Sequence, residues 1–338
     1  MERVMRFLAD AFETEGYLDF QNDLAEAMYA ALAQGYLEND KELGLVKRLV
    51  DATDGMGYDR LRLRSRKIHD RASRVAFNHQ GKKVTTELGD AVFITVITAG
   101  RKRLLQRVCF VQNKKATAGT WAIDPQQLCL LTNFPRLLHG LGIAKGVDGA
   151  IFKNLGGTLG AFGLLAEPGE MMLIAAPVLA EIERGRGRVR SDEVSLPSAD
   201  RQVHRAPHTL PNLPNLPWLY WDPRVPSDDL WMMLHEFYRS ARKLGPGLPW
   251  PWAMPYALGG ASFMRSIHDF ARNWTRCNVG EYCYALGRSL DDRLDRLAAQ
   301  ILASIGAGEL FDIPGETPPL NEDAGIAIFL THVNVGEG

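Results

Sequence analysis

The sequence predicts an α/β protein: a mixed central sheet flanked by helices, with a large, mainly helical C-terminal elaboration. Three observations predict it. Two apolar, β-branched runs, 91–97 and 108–111, flank a turn at Ala99-Gly100-Arg101-Lys102-Arg103 and read as neighbouring strands buried on both faces. Ahead of them, Phe20, Leu24, Ala27, Met28, Ala31 and Leu32 recur at helical spacing. Beyond residue 180 the chain turns Gly-, Arg- and Pro-rich before helical patterns return.

In chain order, helices are expected over 2–14 and 18–35, broken near Gly16, and over 41–52, ending before Gly55. Strand patterns follow at 60–66, 72–77, 90–98 and 104–113. Asp124 as N-cap and Pro125 in the first turn start a helix running to about residue 139, which Pro135 ends or kinks. Further strands are expected at 148–153 and 171–177. Residues 184–218 read as an irregular excursion, in which Leu210-Pro-Asn-Leu-Pro-Asn-Leu-Pro is biased toward polyproline geometry. Helices return at 227–243, with Ser227 as N-cap, and at 261–274 and 288–305, around a Pro/Trp loop at 246–255. A last buried strand is expected at 325–334, where it can join the main sheet. The organisation is thus a core over 1–180 with 181–338 packed on it as one elaborated domain.

Composition narrows the classes. A chain of 338 residues with 46% hydrophobic content can bury a sizeable core. Cys109, Cys129, Cys277 and Cys283 form no CxxC pair, which argues against a zinc knuckle and for reduced thiols. No apolar stretch is long enough to span a membrane, and the N-terminus lacks a signal-peptide pattern, so a cytoplasmic location is expected. Gly81-Lys82-Lys83 lacks the rest of a phosphate loop, and Gly156 to Gly160 lacks the acidic partner of a dinucleotide fingerprint. His204 and His208 sit in a Pro-containing loop rather than on a helix, which argues against a metal pair.

Alternation places Val108, Phe110, Gln112 and Lys114 on one face of the second strand. If the two strands pair antiparallel, Asp90 lies beside the end of that face. An acid, an amide and an amine then converge. Such a set suits Mg²⁺ (or Mn²⁺), with the Asp90 carboxylate, the Gln112 amide oxygen and the Asn113 backbone carbonyl as ligands. Lys114 is placed to orient a water or to neutralise a phosphorane-like charge.

Asp90 followed by Gln112-x-Lys114 at the end of a buried strand resembles the PD-(D/E)XK nuclease superfamily, in the variant with Gln for the second acid, as in Mrr-type restriction enzymes. Glu87-Leu-Gly-Asp90, and Trp121 to Leu128 with Asp124 and Gln127, add to the resemblance, which covers roughly residues 16–180. It implies a restriction-endonuclease-like sheet and magnesium-dependent hydrolysis of phosphodiesters, chiefly in double-stranded DNA. Asp90 and Gln112 would bind the metal and Lys114 would be catalytic. It also implies a role in bacterial anti-phage or anti-plasmid defence, as a homodimer or with a partner defence protein. Gln112 is neutral, so a further carboxylate is expected. Glu26, beside the apolar stripe of the 18–35 helix, is preferred for the metal, and Glu87 is kept as an active-site candidate.

Charge placement points the same way. The window from Arg60 to Lys115 holds fifteen basic residues against Asp70, Glu87 and Asp90, in a chain of net charge −1. Arg64, Arg66, Lys67 and Lys115 are its candidate nucleic-acid contacts, and Arg62, Arg64 and Arg66 alternate along one face of an extended segment. Arg184, Arg186, Arg188 and Arg190, interleaved with Gly185 and Gly187, read as a flexible loop able to touch phosphates. The alternative readings are a catalytically inactive nucleic-acid-binding or scaffold subunit with the same fold, and an interaction module that uses the Pro/Trp loops.

Overall fold

The computed structural model describes residues 14–68, 73–154, 157–194, 263–285, 287–307 and 326–336. Its centre is a ten-stranded mixed sheet. In chain order the main strands of that sheet are β1 (Gly57–Tyr58), β2 (Leu61–Ile68), β5 (Ala91–Ala99), β6 (Lys102–Lys115), β9 (Gly160–Ala166), β10 (Glu170–Ala175), β12 (Phe263–Met264) and β15 (Ile326–Asn334). Their spatial order is β1-β2-β15-β5-β6-β9-β10-β12. The short hairpin of β13 (Glu281–Ala285) and β14 (Arg288–Ser289) pairs on β6 over Leu105 to Val108, while β9 pairs on β6 over Phe110 to Lys115. β15 lies between β2 and β5, antiparallel to the first and parallel to the second. The expected final strand thus enters the middle of the sheet. A strand buried on both faces needs an unbroken apolar run, and Ile-Ala-Ile-Phe-Leu supplies it.

Alternation sorts the side chains into two cores. Val92, Ile94, Val96, Val108, Phe110 and Leu330 face one layer. That layer holds α3 (Pro125–Asn133), α4 (Ala176–Glu183), α7 (Asp292–Ser304) and a small sheet of β4 (Lys82–Glu87), β3 (Arg74–His79) and β8 (Leu137–Gly140). Ala91, Phe93, Cys109, Val111 and Phe329 face the other, under α1 (Glu15–Leu37), α2 (Glu42–Thr53) and α6 (Ile267–Thr275). There Phe93 stacks on Phe329 at 4.6 Å, with Trp274 edge-on to both. Such aromatic pairs add about 1 kcal/mol each beyond the area they bury.

Several elements differ from the sequence expectation. The helix begun by Asp124 ends at Asn133, because Phe134 takes a left-handed conformation (φ 39°) and Pro135 follows. The chain then forms β8, and residues 148–153 are a turn and irregular segment rather than a strand. β4, with its polar Lys-Lys-Val-Thr-Thr-Glu, pairs with β3 about the Gln80-Gly81 turn. The glycine-rich stretch holds β9. A Cβ on Gly160 would stand 2.2 Å from the Leu131 carbonyl oxygen, so only glycine lets that strand pass α3. The strand expected at 171–177 stops at Ala175, and α4 starts with Pro177 in its first turn.

The arginine-glycine run is not a loose loop. β11 (Arg188–Arg190) pairs with β7 (Thr120–Ala122), and the single turn α5 (Ser191–Val194) follows. Arg186 pairs with Glu193 and Arg190 with Asp192, so those charges are matched within the protein. The expected helix at 2–14, except for Thr14, which caps α1 in extended backbone, and the 227–243 helix, the Leu210 repeat, the 246–255 loop, His204 and His208 lie outside the described residues. Among the described residues no helix is long and apolar enough to cross a membrane.

Candidate active site

β5 and β6 pair antiparallel with Ala91 opposite Val111, and the Asp90 N–H donates to the Val111 carbonyl at 2.9 Å. That register sets Asp90 against Gln112. Asp90 Oδ2 accepts from Gln112 Nε2 and from the Asn113 backbone N–H, the latter at 2.8 Å. Both bonds fall on Oδ2, and among the described residues Oδ1 receives none.

The chain of contacts continues into α3. Asp124 Oδ1 accepts from the backbone N–H groups of Gln126 and Gln127 and fixes the first turn. This holds Gln127 so that its Nε2 donates to Gln112 Oε1 at 2.9 Å, while Gln127 Oε1 is buried with no partner among the described residues. In the sequence Gln127 stands out only through the resemblance. Its position three residues past the capping Asp124, facing the strand that carries Gln112, is what gives it a place here.

Asp90 is 4% exposed. Burial drives its carboxyl up to about 7, and the half-buried Glu87 at the end of β4 pushes the same way. The Asn113 N–H, the Lys114 charge and the Gln112 amide oppose that rise. Lys114 is half-buried, two residues beyond Gln112 and on the same face of β6. Asp90, Gln112, Lys114, Glu87 and Gln127 therefore belong to one end of the central strands.

Other candidates lie elsewhere. Glu26 is exposed on α1, which packs on the opposite face of the sheet, so it does not reach Asp90. Asn113 gives Asp90 its N–H, and its own side chain turns toward β9, where a Cβ on Gly163 would meet its Oδ1 at 2.2 Å. Lys115 alternates to the α1–α2 face. Its Nζ donates to the Asp40 carbonyl at 2.8 Å and lies over the Tyr36 ring, and its N–H donates to Glu42 Oε1. It fastens β6 to the helices rather than facing solvent. Lys67 is half-buried at the end of β2, with its amine held below the usual lysine range by burial and by Lys47, against the pull of Asp51 and Asp90. Arg64 and Arg66 are exposed on β2.

Among the described residues no cluster of three or more His, Cys, Asp or Glu is present. The atoms able to ligate a cation at the Asp90 end are oxygens: the open Asp90 Oδ1, the nearby Glu87, the orphaned Gln127 Oε1, and Gln112 Oε1, which meets Gln127 Nε2 while the Gln112 Nε2 faces Asp90. Oxygen sets with one or two carboxylates suit a hard cation that keeps several waters, whereas zinc takes nitrogen and sulfur. A surface cavity of about 320 Å³, lined by Asn78, Pro135, Arg136, Leu137, Leu138 and Gly149, includes none of these residues.

Fold and site together define a class: a mixed α/β protein with an acid, an amide pair and a lysine at one end of its central strands. Comparison with protein-family models, curated proteins and solved structures finds no match for this chain.

Proposed function

We propose that this chain is a metal-dependent nuclease of the PD-(D/E)XK type, with a restriction-endonuclease-like central sheet, that hydrolyses phosphodiester bonds in DNA. The observation that carries the reading is the contact of Asp90 with Gln112 on the face of β6 that also bears Lys114. The residues fit Mg²⁺ or Mn²⁺. Asp90 is a buried carboxylate with an open oxygen, and the orphaned Gln127 Oε1 is a further acceptor on the residue that meets Gln112.

A bound divalent ion supplies a more acidic water and neutralises charge on the phosphate. Asp90 would hold the ion through its open oxygen, while the Asn113 N–H fixes the other. Gln112 presents its amide beside it, positioned by Gln127. Lys114 orients the attacking water and stabilises the negative charge that builds on the phosphate. A place in bacterial defence against phage or plasmids, in the cytoplasm, as a homodimer or with a partner defence protein, fits a stand-alone nuclease of this kind.

The test is cleavage of plasmid DNA with Mg²⁺ or Mn²⁺. The wild type is expected to cut, chelation to stop it, and Asp90→Ala and Lys114→Ala each to lose about 100-fold or more. Equal cleavage by all three proteins rejects the reading. A second reading, a non-cutting nucleic-acid-binding or scaffold subunit, is favoured by the neutral Gln112 and by the lack of a three-acid cluster among the described residues. Salt-sensitive DNA binding with no metal-dependent cutting is its signature.

A further inference from the structure

Arg62, Arg64 and Arg66 are exposed along β2, while Leu61, Leu63 and Ser65 between them are buried. The three side chains therefore leave one face of the strand, about 6.6 Å apart and roughly 13 Å from first to last. That step is close to the separation of neighbouring phosphates along one nucleic-acid strand. β2 also runs near the rim of the sheet. The two-residue β1 pairs only with Leu61 and Arg62, so the row continues past its last strand neighbour.

The row is not ion-paired, although the exposed Asp54 lies beside it, its Oδ1 accepting from the Ser65 N–H at 2.8 Å. None of the three arginines is in an ion pair among the described residues. Arg62 Nη1 donates only to the carbonyls of Asp59 and Leu61. Across on β15 the register partners are His332, Leu330 and Ile328, none of them an acid. His332 shares its Nε2 with Thr98 Oγ1 at 2.9 Å, and burial holds its pKa down to about 4, with Arg64 and Arg62 pushing further. The neighbouring ring is thus neutral at pH 7.

A charged rim strand also discourages edge-to-edge pairing, and one or two lysines are enough for that. Three arginines in phase do more, because each guanidinium offers a planar fork that fits a phosphate.

The row leads to the candidate active site. Lys67, next after Arg66, is level with Ala327 and Ala91, and the Ala327 N–H donates to the Asp90 carbonyl at 2.8 Å. β2 and β5 are two strand spacings apart, so the backbones of Arg66 and Asp90 are separated by about 12 Å.

We propose that Arg62, Arg64 and Arg66 form a track that grips consecutive phosphates of one nucleic-acid strand and leads it toward Asp90. The destination rests on the nuclease reading; the binding does not.

The experiment uses the full chain in EDTA, so nothing is cut, with a fluorescent oligonucleotide as single strand and as duplex, across a salt series. Compared with wild type are Arg62→Gln/Arg64→Gln/Arg66→Gln, the same three positions changed to Lys, and Asp90→Ala. Thermal melts check that each variant folds. The glutamine triple is expected to bind at least tenfold more weakly at about 0.1 M salt, and its log K against log salt slope to flatten by about 2 for the single strand. The lysine triple keeps most of the slope, and Asp90→Ala keeps all of it.

Flattening with the single strand alone makes an unpaired strand the ligand; flattening with both makes it a strand within a duplex. An unchanged slope in the glutamine triple overturns the track. A wild type that binds through the row but never cuts with metal keeps the track and removes the nuclease reading. A glutamine triple with wild-type slope beside an active wild type does the reverse.

Discussion

At the scale of single residues, Asp90 is a carboxyl whose ordinary pKa of 3.8 is raised to about 7, chiefly by burial. The sign of its effect on stability follows. Between those two values the folded protein keeps a proton that the unfolded chain has released. The stabilisation is therefore whole below 3.8, is lost as pH climbs toward 7, and leaves a penalty above that. A tenfold change in a group's acidity corresponds to about 1.4 kcal/mol. Asp90→Asn keeps the shape and an acceptor for the Asn113 N–H without the charge. In the metal-free protein it is expected to gain on the order of 2 kcal/mol over wild type at pH 8 and almost nothing at pH 4, read from urea melts. An asparagine variant weaker than wild type at pH 8 would show that the buried charge is not a burden.

The same scale shows what the sequence could and could not tell. Facing of Asp90 and Gln112 follows from period-two alternation and a hairpin register, both local. Reading Lys115 as a nucleic-acid contact fails because one step along the strand from Lys114 reverses the face and turns it to the helices. The layer occupied by Glu26 depends on how a distant helix crosses the sheet, and no local pattern encodes that.

At the scale of elements, apolar runs announce β5, β6 and β15, because a buried strand must be apolar. The glycines of β9 conceal it, since they look like a loop until a neighbour is seen to need their missing side chains. Gly160 tests this directly. With the Leu131 carbonyl oxygen 2.2 Å from where a Cβ would stand, Gly160→Ala must push β9 away from the end of α3. The expected loss is about 1–3 kcal/mol, seen as a lower melting temperature. Gly306 (φ 69°) is the contrasting control: it has open space around it, so alanine there meets only backbone strain. A Gly160→Ala melt equal to wild type would mean that the strand and helix pack more loosely than their backbones indicate. β4 is hidden for another reason: its outward positions are polar, and a short two-sided polar strand differs little from a turn in sequence.

At the scale of the whole molecule, the boundary near residue 180 does not divide the sheet. β15 separates β2 from β5 along eight paired positions on each side, and β13 holds the outer half of β6. α6 and β15 also supply Phe270, Trp274 and Phe329 to the aromatic cluster around Phe93. Without them β5 would show water the faces and edge that they cover, and exposed apolar edges of that kind aggregate. A fragment ending at residue 194 is therefore expected to lack a cooperative transition, to lose near-ultraviolet dichroism, and to associate on concentration. Removing only residues 326–338 should do the same, since the central strand leaves with them. Adding a 326–336 peptide to that shorter chain is expected to restore part of the dichroism, because its slot between β2 and β5 is defined by backbone pairing on both sides. Cooperative unfolding of the 1–194 fragment alone would sink this view, and would mean that the first half closes its own sheet and the C-terminal strand is an addition.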